Sequence, residues 1–342
     1  MRFKAITSLF SRSNGWLILM ILTLFLVAGT ASLIGAINIL PGDILTSGFT
    51  PQQEAILTTI RLPRVFLAAI TGAALAVSGA AMQGLFRNPL ADPGLIGIAG
   101  GAALAVGLVI VILGPIGGLA GLYSLGIAAF AGGLSTSLLI FYLVRKAGGF
   151  SVTTMLLAGI AINAITAAAT GFLTFLSNDQ QLRALTFWTM GNLGGALWPA
   201  VLVALSVVLP ATVLLARSAQ QLNILMLGEA EAEHLGVNTK ALKYRIVFCT
   251  ALAVGIAVAV SGIIGFVGLI VPHLIRLLFG PDHRFLIPAS ALGGAILLVI
   301  ADTLARTVVI PAEIPVGILT SLIGGPFFLF LLIRQFRGMI SL

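Results

Sequence analysis

Apolar residues along this chain form long uninterrupted runs and do not alternate with polar ones. The first run extends from about Trp16 to Ile37, and similar runs recur to the C-terminal end. A run of about 20 apolar residues is long enough to cross a hydrocarbon core of ~30 Å as a helix. Because lipid offers the backbone no hydrogen-bond partners, a spanning segment must be a helix or belong to a closed barrel. Barrel strands alternate, so the pattern predicts an all-α integral membrane protein.

Polar and Gly/Pro-rich breaks divide the pattern into ten predicted crossings. Their approximate bounds are 16–37, 63–84, 94–113, 119–144, 155–176, 199–216, 246–261, 263–279, 285–304 and 316–333. A shorter apolar stretch at 188–198 precedes the sixth crossing, and the longest polar stretch, 217–245, follows it. The first run is longer than the 7–15 residues of a typical signal-peptide core, which favours a retained helix over a cleaved signal.

Composition and charge agree with this class. The chain of 342 residues is 59% hydrophobic and 8% charged, which excludes an ordinary soluble domain. With ten crossings, both termini share one side of the membrane, and that side collects 14 (18 − 4) of the 18 Lys and Arg residues. The other side keeps Arg61, Arg64, Arg183 and Arg306. Cytoplasmic loops are enriched in Lys and Arg, so we predict cytoplasmic termini and attribute the net charge of +8 to topology, not to nucleic-acid binding.

An internal similarity indicates duplication. Gly72–Gly79, GAALAVSG, returns as Gly255–Gly262, GIAVAVSG, and the same offset of 183 residues (255 − 72, 272 − 89) carries Pro89 onto Pro272. Chance agreement is the alternative in a chain so rich in Ala, Gly and Val. Duplication predicts one transmembrane domain, 1–342, made of repeats at about 1–183 and 184–342. Five helices per repeat invert the second repeat, which is a transporter architecture.

The residues that catalysis or metal binding would need are not clustered. His234, His273 and His283 are not paired at ligand spacing, and the single cysteine, Cys249, cannot form an internal disulfide. No Gly-Lys dipeptide occurs, so the chain has no Walker A loop. We therefore predict a transport protein that is not an enzyme and binds no metal or cofactor, with ATP and Mg²⁺, if used, on a separate chain.

Few charges lie within the predicted crossings. Asp302 is the one carboxylate there, and Arg306 follows at the spacing of a helical ion pair. An ion-coupled secondary transporter normally needs a mid-membrane charge, so this class is the weaker alternative. Arg61 and Arg64 share a helix face on the predicted outer side, where lipid headgroups or a partner's carboxylates are equally good ligands. The stretch Leu227–Gly236, LGEAEAEHLG, is either a solvated loop or a short docking helix.

Six motifs in order resemble those of one family. They are RLPR, GAALAVSGAAMQGLFRNPLADPG, LGEAEAEHLGV, GIIGFVGLIVPHLIRLLFGPDHR, ADTLAR and EIPVGILTSLIGGPFF. Together they are similar to the permeases of bacterial type II ABC importers for haem, ferric siderophores and vitamin B12. The resemblance implies ten helices per subunit and a homodimer in the inner membrane, surrounded by lipid, with the pathway along its axis. It also implies two copies of an ATPase and a periplasmic or surface substrate-binding protein.

The resemblance further implies three sets of site residues. Arg61, Arg64 and Arg306 fall where family members meet acidic residues of the binding protein. The cytoplasmic coupling helices, about 222–238, fall where the permease seats on the ATPase. Their candidate residues are Leu227, Gly228, Glu229, Ala230, Glu233, Leu235 and Gly236. A looser match assigns a cytoplasmic gate to Ser151, Thr153 and Thr154.

The resemblance also bears on the pathway and its cargo. The fifth crossing and residues 188–197 are similar to the elements that line the pathway. These segments carry no histidine, tyrosine pair or carboxylate cluster, so selectivity is expected to lie in the binding protein. Residues 179–191 are most similar to haem permeases, which favours haem over a ferric siderophore, with vitamin B12 third.

Overall fold

The computed structural model describes residues 2–35, 49–147 and 152–340, and these residues fold as a helical bundle. Of the predicted site residues, Ser151 lies outside the described ranges. The helices, in chain order, are α1 (Arg2–Leu33), α2 (Pro51–Phe86), α3 (Ile98–Leu113), α4 (Gly118–Lys146), α5 (Val152–Leu176), α6 (Asp179–Thr189), α7 (Trp198–Arg217), α8 (Ala219–Leu225), α9 (Glu229–His234), α10 (Thr239–Ser261), α11 (Val267–Phe279), α12 (His283–Ala305) and α13 (Val316–Ile340).

Ten of the helices in the described ranges correspond to the ten predicted crossings. Among the described residues, seven helices are long and apolar enough to cross a membrane: α1, α2, α4, α5, α7, α10 and α12. Three shorter apolar helices occupy the remaining predicted crossings, namely α3, α11 and the Val316–Phe330 part of α13. The all-α integral membrane class is therefore confirmed. The apolar runs alone are enough to locate these helices because each run must satisfy its own backbone within lipid.

The second crossing begins earlier than its hydrophobic pattern predicts, at Pro51 instead of Pro63. Thr50 and Gln53 form a capping box, in which the Thr50 side chain accepts from the Gln53 N–H and the Gln53 side chain accepts from the Thr50 N–H. Pro63 does not break the helix because a π-helical turn, Ile56–Arg61, precedes it. In an ordinary α-helix the proline ring would clash with the carbonyl group of the preceding turn. The wider π-helical turn shifts those carbonyl groups relative to the ring.

Two polar stretches are also helical, the first of them without having been predicted so and the second at the position of the predicted coupling helices. Residues 179–189 form α6, which Asn178 and Gln181 cap in the same reciprocal way. The apolar stretch 188–198 is not a separate element, since its first residues end α6 and residues 190–197 form a loop. The polar stretch 217–245 contains α8, α9 and the first turns of α10.

Helix α2 lies at the centre of the bundle and is the most buried of the seven long helices. It packs against α12 through facing glycines. A Cβ atom added to Gly72 would lie 2.1 Å from the carbonyl oxygen of Gly294, and one added to Gly294 would lie 2.2 Å from that of Gly72. Gly79 meets Gly268 of α11 as closely. Small residues thus bring the backbones of α2, α11 and α12 together, as is common in membrane helices.

Contacts at the helix termini define two ends of the bundle. At one, which we call the arginine end, Arg64 in the first half of α2 contacts Asp302 near the end of α12. At the other, which we call the short-helix end because it carries α8 and α9, Asn223 of α8 contacts His283 at the start of α12. A Cβ atom on Gly84, near the end of α2, would lie 2.5 Å from the His283 ring. The Arg64–Gly84 part of α2 therefore runs antiparallel to α12.

Helix α10 runs opposite to α2. Near its start, Arg245 donates to Gln221 of α8 at 3.3 Å, so α10 begins at the short-helix end. At its last residue, the Ser261 carbonyl accepts from the Asn192 N–H at 2.7 Å. Asn192 lies beside Gly194, which adjoins Arg64 at the arginine end. The second and seventh crossings thus have opposite directions, as two inverted repeats require.

Both termini of the described chain point to the short-helix end. The last carbonyls of α1, at Ser32 and Leu33, accept from Arg61 at the arginine end. α13 begins at the same end, where the Val316 N–H donates to the Gly191 carbonyl. The start of α1 and the end of α13 therefore lie opposite.

The two prolines that share the repeat offset do not occupy equivalent places. Pro89 lies in the turn after α2, whereas Pro272 lies inside α11, which continues through it to Phe279. A helix-breaking proline is therefore not a shared feature of the two halves. The missing N–H of Pro272 removes one intrahelical bond from α11 without ending the helix.

Candidate functional sites

Arg64 is the centre of a buried charge cluster at the arginine end. Its Nε lies 3.0 and 2.9 Å from the two carboxylate oxygens of Asp302, and its Nη2 donates to Asp302 Oδ1 at 2.9 Å. Its Nη1 donates to both oxygens of Glu313, at 3.0 and 2.9 Å. The fork of the guanidinium suits such bidentate pairing. The predicted Asp302–Arg306 pair is present but longer, at 4.0 Å, so Arg64 is the main partner of Asp302.

Arg61 and Arg306 hold the end of α1. Arg61 Nη1 donates to the carbonyls of Leu33 at 2.8 Å and Ser32 at 3.2 Å, and Arg306 Nη2 donates to that of Ala31. The last carbonyls of a helix lack intrahelical partners and carry partial negative charge. A guanidinium group therefore stabilises them both as a hydrogen-bond donor and as a positive charge. These two arginines thus have a structural role, which the sequence interpretation did not include.

All three arginines nevertheless line one depression open at the surface. Its volume is about 220 Å³, and its walls are Gly35, Ile56, Ile60, Arg61, Arg64, Arg306, Ile310, Pro311 and Glu313. We call it the arginine pocket. Three guanidinium groups face two carboxylates, Asp302 beneath the pocket and the 46% exposed Glu313 at its rim. Three guanidinium groups thus line one small depression, an arrangement that suits the binding of an anionic group. Sequence reasoning missed Glu313, although its motif, EIPVG, was among those singled out.

The predicted coupling residues form a compact projection around α9 at the short-helix end. Leu227 and Leu235 are 67% and 61% exposed and flank the helix, with exposed Ala230 between them. Gly228 has φ +136°, a conformation that side chains with a Cβ rarely adopt, and Gly236 ends the helix at φ +82°. The projection thus presents apolar side chains to the exterior on a backbone that depends on two glycines.

The two predicted glutamates hold this projection in place. Glu229 pairs with Lys243 of α10, and Glu233 accepts from the Thr239 hydroxyl at 2.5 Å. Their carboxylates therefore face α10 as well as solvent. They orient the apolar surface and are not its main component.

The comparisons with known proteins agree with the motifs. The sequence pattern of the FecCD transport family matches residues 16–334. The chain belongs to this family. It is 54% identical over 317 residues to the hemin transport system permease protein HmuU of Yersinia pestis, covering 93% of this chain and 94% of that protein. It is 41% identical over 316 residues to the vitamin B12 import system permease protein BtuC of Vibrio vulnificus, covering 92% and 94%.

Solved structures give the same fold. One, described as an inward-facing conformation of a metal-chelate type ABC transporter, matches with a TM-score of 0.85 at 33% identity, covering 94% of this chain and 99% of that one. Another, PsaBC from Streptococcus pneumoniae in complex with Fab, matches with a TM-score of 0.55 at 19% identity over 81% and 92% of the chains. The latter similarity shows the fold alone. The type II importer permease fold predicted from the motifs is confirmed.

In this FecCD chain, the elements expected to line a pathway are outward-facing and apolar. Phe172 and Phe175 of α5 are 61% and 83% exposed. A cavity of about 500 Å³ opens beside the loop that follows α6. Its walls are Thr189, Met190, Ile263, Gly265, Gly317, Ile318, Ser321 and Leu322. None of these residues is charged, which agrees with a pathway that interacts weakly with its cargo.

Of the predicted gate residues, the structure describes Thr153 and Thr154. Thr153 is exposed and Thr154 is half-buried, and both lie in the first turn of α5. Their assignment to a cytoplasmic gate stays a prediction.

Proposed function

We propose that this FecCD chain is the permease subunit of an ATP-driven importer that moves haem across the bacterial inner membrane by alternating access. The assignment of haem as the cargo rests on the 54% identity to a hemin permease over nearly the full length of both chains, against 41% for a vitamin B12 permease. The uncharged cavity beside α6 and α13 suits a large and mainly apolar cargo. A ferric-siderophore or vitamin B12 permease is the second candidate, and the BtuC similarity favours the latter of the two.

The orientation of the subunit follows from its charge. Arg145 and Lys146 end α4, Arg217 ends α7, and Lys243 and Arg245 begin α10, all toward the short-helix end. Under the positive-inside trend that end faces the cytoplasm, with both termini, and the arginine end faces the periplasm. The trend holds although the arginine end keeps its own cations, because their charge is largely compensated by Asp302 and Glu313.

Each end then has its own partner. A substrate-binding protein docks at the arginine end, where one of its carboxylates enters the arginine pocket and meets the guanidinium groups that line it. Two ATPase subunits seat the α9 projections of a homodimer, and Leu227 and Leu235 supply the apolar contact. ATP and Mg²⁺ bind the ATPase, and its closure displaces the projections and switches access to the pathway between the two permease copies.

Reconstitution tests this function. Proteoliposomes containing this chain, its cognate ATPase and its binding protein are expected to accumulate hemin only when ATP is enclosed on the ATPase side. Parallel uptake of cyanocobalamin and of a ferric hydroxamate siderophore ranks the cargo. Hemin uptake by the chain alone under a proton or sodium gradient would contradict the proposal and establish a secondary transporter. Preferential uptake of either competitor would replace haem as the cargo.

A further inference from the structure

A polar joint ties α8 to the first turn of α12 at the short-helix end. The Asn223 side chain donates to Asp282 Oδ1 at 2.6 Å. Its oxygen accepts from the His283 backbone N–H at 2.9 Å and lies 2.8 Å from His283 Nδ1. Because one amide oxygen receives both contacts, Nδ1 carries a proton and donates it to Asn223. We call Asn223, Asp282 and His283 the α8–α12 joint.

The α8–α12 joint buries a polar side chain at a cost in stability that packing alone does not explain. His283 is 1% exposed, and its Nε2 has no hydrogen-bond partner within the described ranges. A buried polar atom without a partner destabilises the folded state, whereas an apolar side chain of similar shape would not. The neighbouring side chains of α8, Leu222 and Leu225, are fully buried and already supply apolar contact. The polar contacts therefore add directional constraint between α8 and α12.

The two helices that the joint connects reach both ends of the subunit. α8 leads through three residues to α9, the projection at which the ATPase is proposed to act. α12 has 23 residues, or about 35 Å at 1.5 Å per residue, and ends with Asp302 and Arg306 at the arginine pocket. Facing glycines, Gly72 and Gly294, prevent α12 from sliding along α2 without a change in the packing of both backbones.

We propose that Asn223 is a positioning residue for transport, which makes α8, α9 and α12 move as one body when the ATPase displaces α9. The inference rests on the proposed function, since it requires the ATPase to act at α9. A rigid helix that is held by α8 at one end and reaches the arginine pocket at the other carries free energy between the two partner sites, and this coupling is reciprocal. Loss of the joint then separates ATP hydrolysis from movement at the arginine pocket, although each partner still binds.

The decisive measurement is the number of hemin molecules transported per ATP hydrolysed in reconstituted complexes. Asn223→Ala removes all three contacts, and we expect it to lower this ratio by about tenfold while co-purification with the ATPase is unchanged. Gln221→Ala, two residues away on the same short helix, loses a 3.3 Å contact with Arg245 and is expected to keep the wild-type ratio. A residue that merely stabilised α8 would lower assembly, hydrolysis and transport together and leave the ratio unchanged.

A second variant reaches the joint from the opposite side. A Cβ atom on Gly84 would lie 2.5 Å from His283 Nε2 and 3.2 Å from Leu222, so Gly84→Ala displaces the joint without altering Asn223. It is expected to lower the same ratio, whereas Gly29→Ala, at a helix position with open space around it, is not. This variant keeps the proposal testable if Asn223→Ala does not fold.

The outcomes separate the two proposals. Hemin uptake and ATPase binding by the wild-type chain test the proposed function before any variant is compared. If the wild type transports and both assembled variants keep its transport ratio, the positioning role is wrong while the proposed function stands. An equal loss in Gln221→Ala would also overturn the positioning role, because the effect would then not belong to the joint.

Discussion

At the residue scale, Arg64 decides the stability of the arginine end. It lies between buried Asp302 and half-exposed Glu313, and its guanidinium group forms an ion pair with each of them. A buried ion pair adds little stability over an apolar pair of similar size, but removal of one partner leaves an uncompensated charge away from water. The two carboxylates are therefore expected to respond very differently to loss of their common partner.

We predict that Arg64→Leu destabilises the folded chain by about 3 to 5 kcal/mol, because Asp302 is left buried and unpaired. The double variant Arg64→Leu/Asp302→Leu is expected to recover most of this loss. Glu313→Gln should change stability by less than about 1 kcal/mol, since that carboxylate is half-exposed. Thermal unfolding in detergent, followed by tryptophan fluorescence, measures all three. A double variant as unstable as the single one would contradict the charge argument.

Arg61 allows a test of docking at the arginine pocket. Charge reversal of Arg61 and Arg64 together is expected to weaken binding-protein docking more than ATPase assembly, but reversal at Arg64 also opposes Asp302. Arg61→Gln removes the charge and keeps a donor for the carbonyls of α1. We predict about five- to tenfold weaker docking with reduced salt dependence and unchanged ATPase assembly. Titration with labelled binding protein at two salt concentrations measures the effect, and equal losses of both partners would refute the docking assignment.

At the element scale, glycine contacts set how closely α2 approaches its neighbours. Their contribution is geometric, because a single methyl group at Gly72 would overlap a backbone carbonyl of α12 that cannot rotate away. Gly72 thus differs from many other glycines of the chain, which have open space around them. Apolar helices that are alike in composition therefore differ greatly in how well they tolerate an added methyl group.

We predict that Gly72→Ala destabilises the chain by about 1 to 3 kcal/mol, the usual cost of overpacking. Gly29→Ala of α1, which introduces the same methyl group into open space, is the matched control and should be neutral or slightly stabilising. Unfolding in detergent compares the two variants. Equal stability would show that α2 and α12 can separate at little cost, and would remove the basis for treating α12 as a rigid link.

At the scale of the whole molecule, the exposed apolar face of α5 indicates how two copies meet. Phe175 is 83% exposed at the end of α5, and the pathway is proposed to run between copies beside this helix. α1 is also largely exposed, with Phe25 at 74%. We propose that α5 lies at the dimer axis and that α1 faces lipid.

We predict that the purified chain is a dimer by light scattering and that Phe175→Cys cross-links the two copies under mild oxidation. Phe25→Cys is the matched control and is expected not to cross-link, because α1 faces lipid in the proposed arrangement. The native Cys249 is buried and does not interfere. A monomer, or cross-linking at α1 and not at α5, would contradict the proposed arrangement of the dimer.

The sequence by itself determined the class, the crossings, the alternation of their directions and the family. These properties depend on local composition: each apolar run satisfies its own backbone in lipid, and positive charge accumulates on one side. It also located the arginines and the α9 projection, since their motifs are contiguous. The hydrophobic pattern did not show the π-helical turn before Pro63 or the helix at residues 179–189, because local caps and turns decide these features.

Only the tertiary structure decided which distant groups meet. Asp302 was predicted to pair with Arg306, its neighbour on the helix, whereas its closest partner is Arg64, 238 residues away. The approach of Gly72 to Gly294, the capping of α1 by Arg61 and Arg306 and the joint at Asn223 likewise depend on which helix faces pack together. Such contacts arise from the close packing of whole helices, which no local pattern of residues specifies.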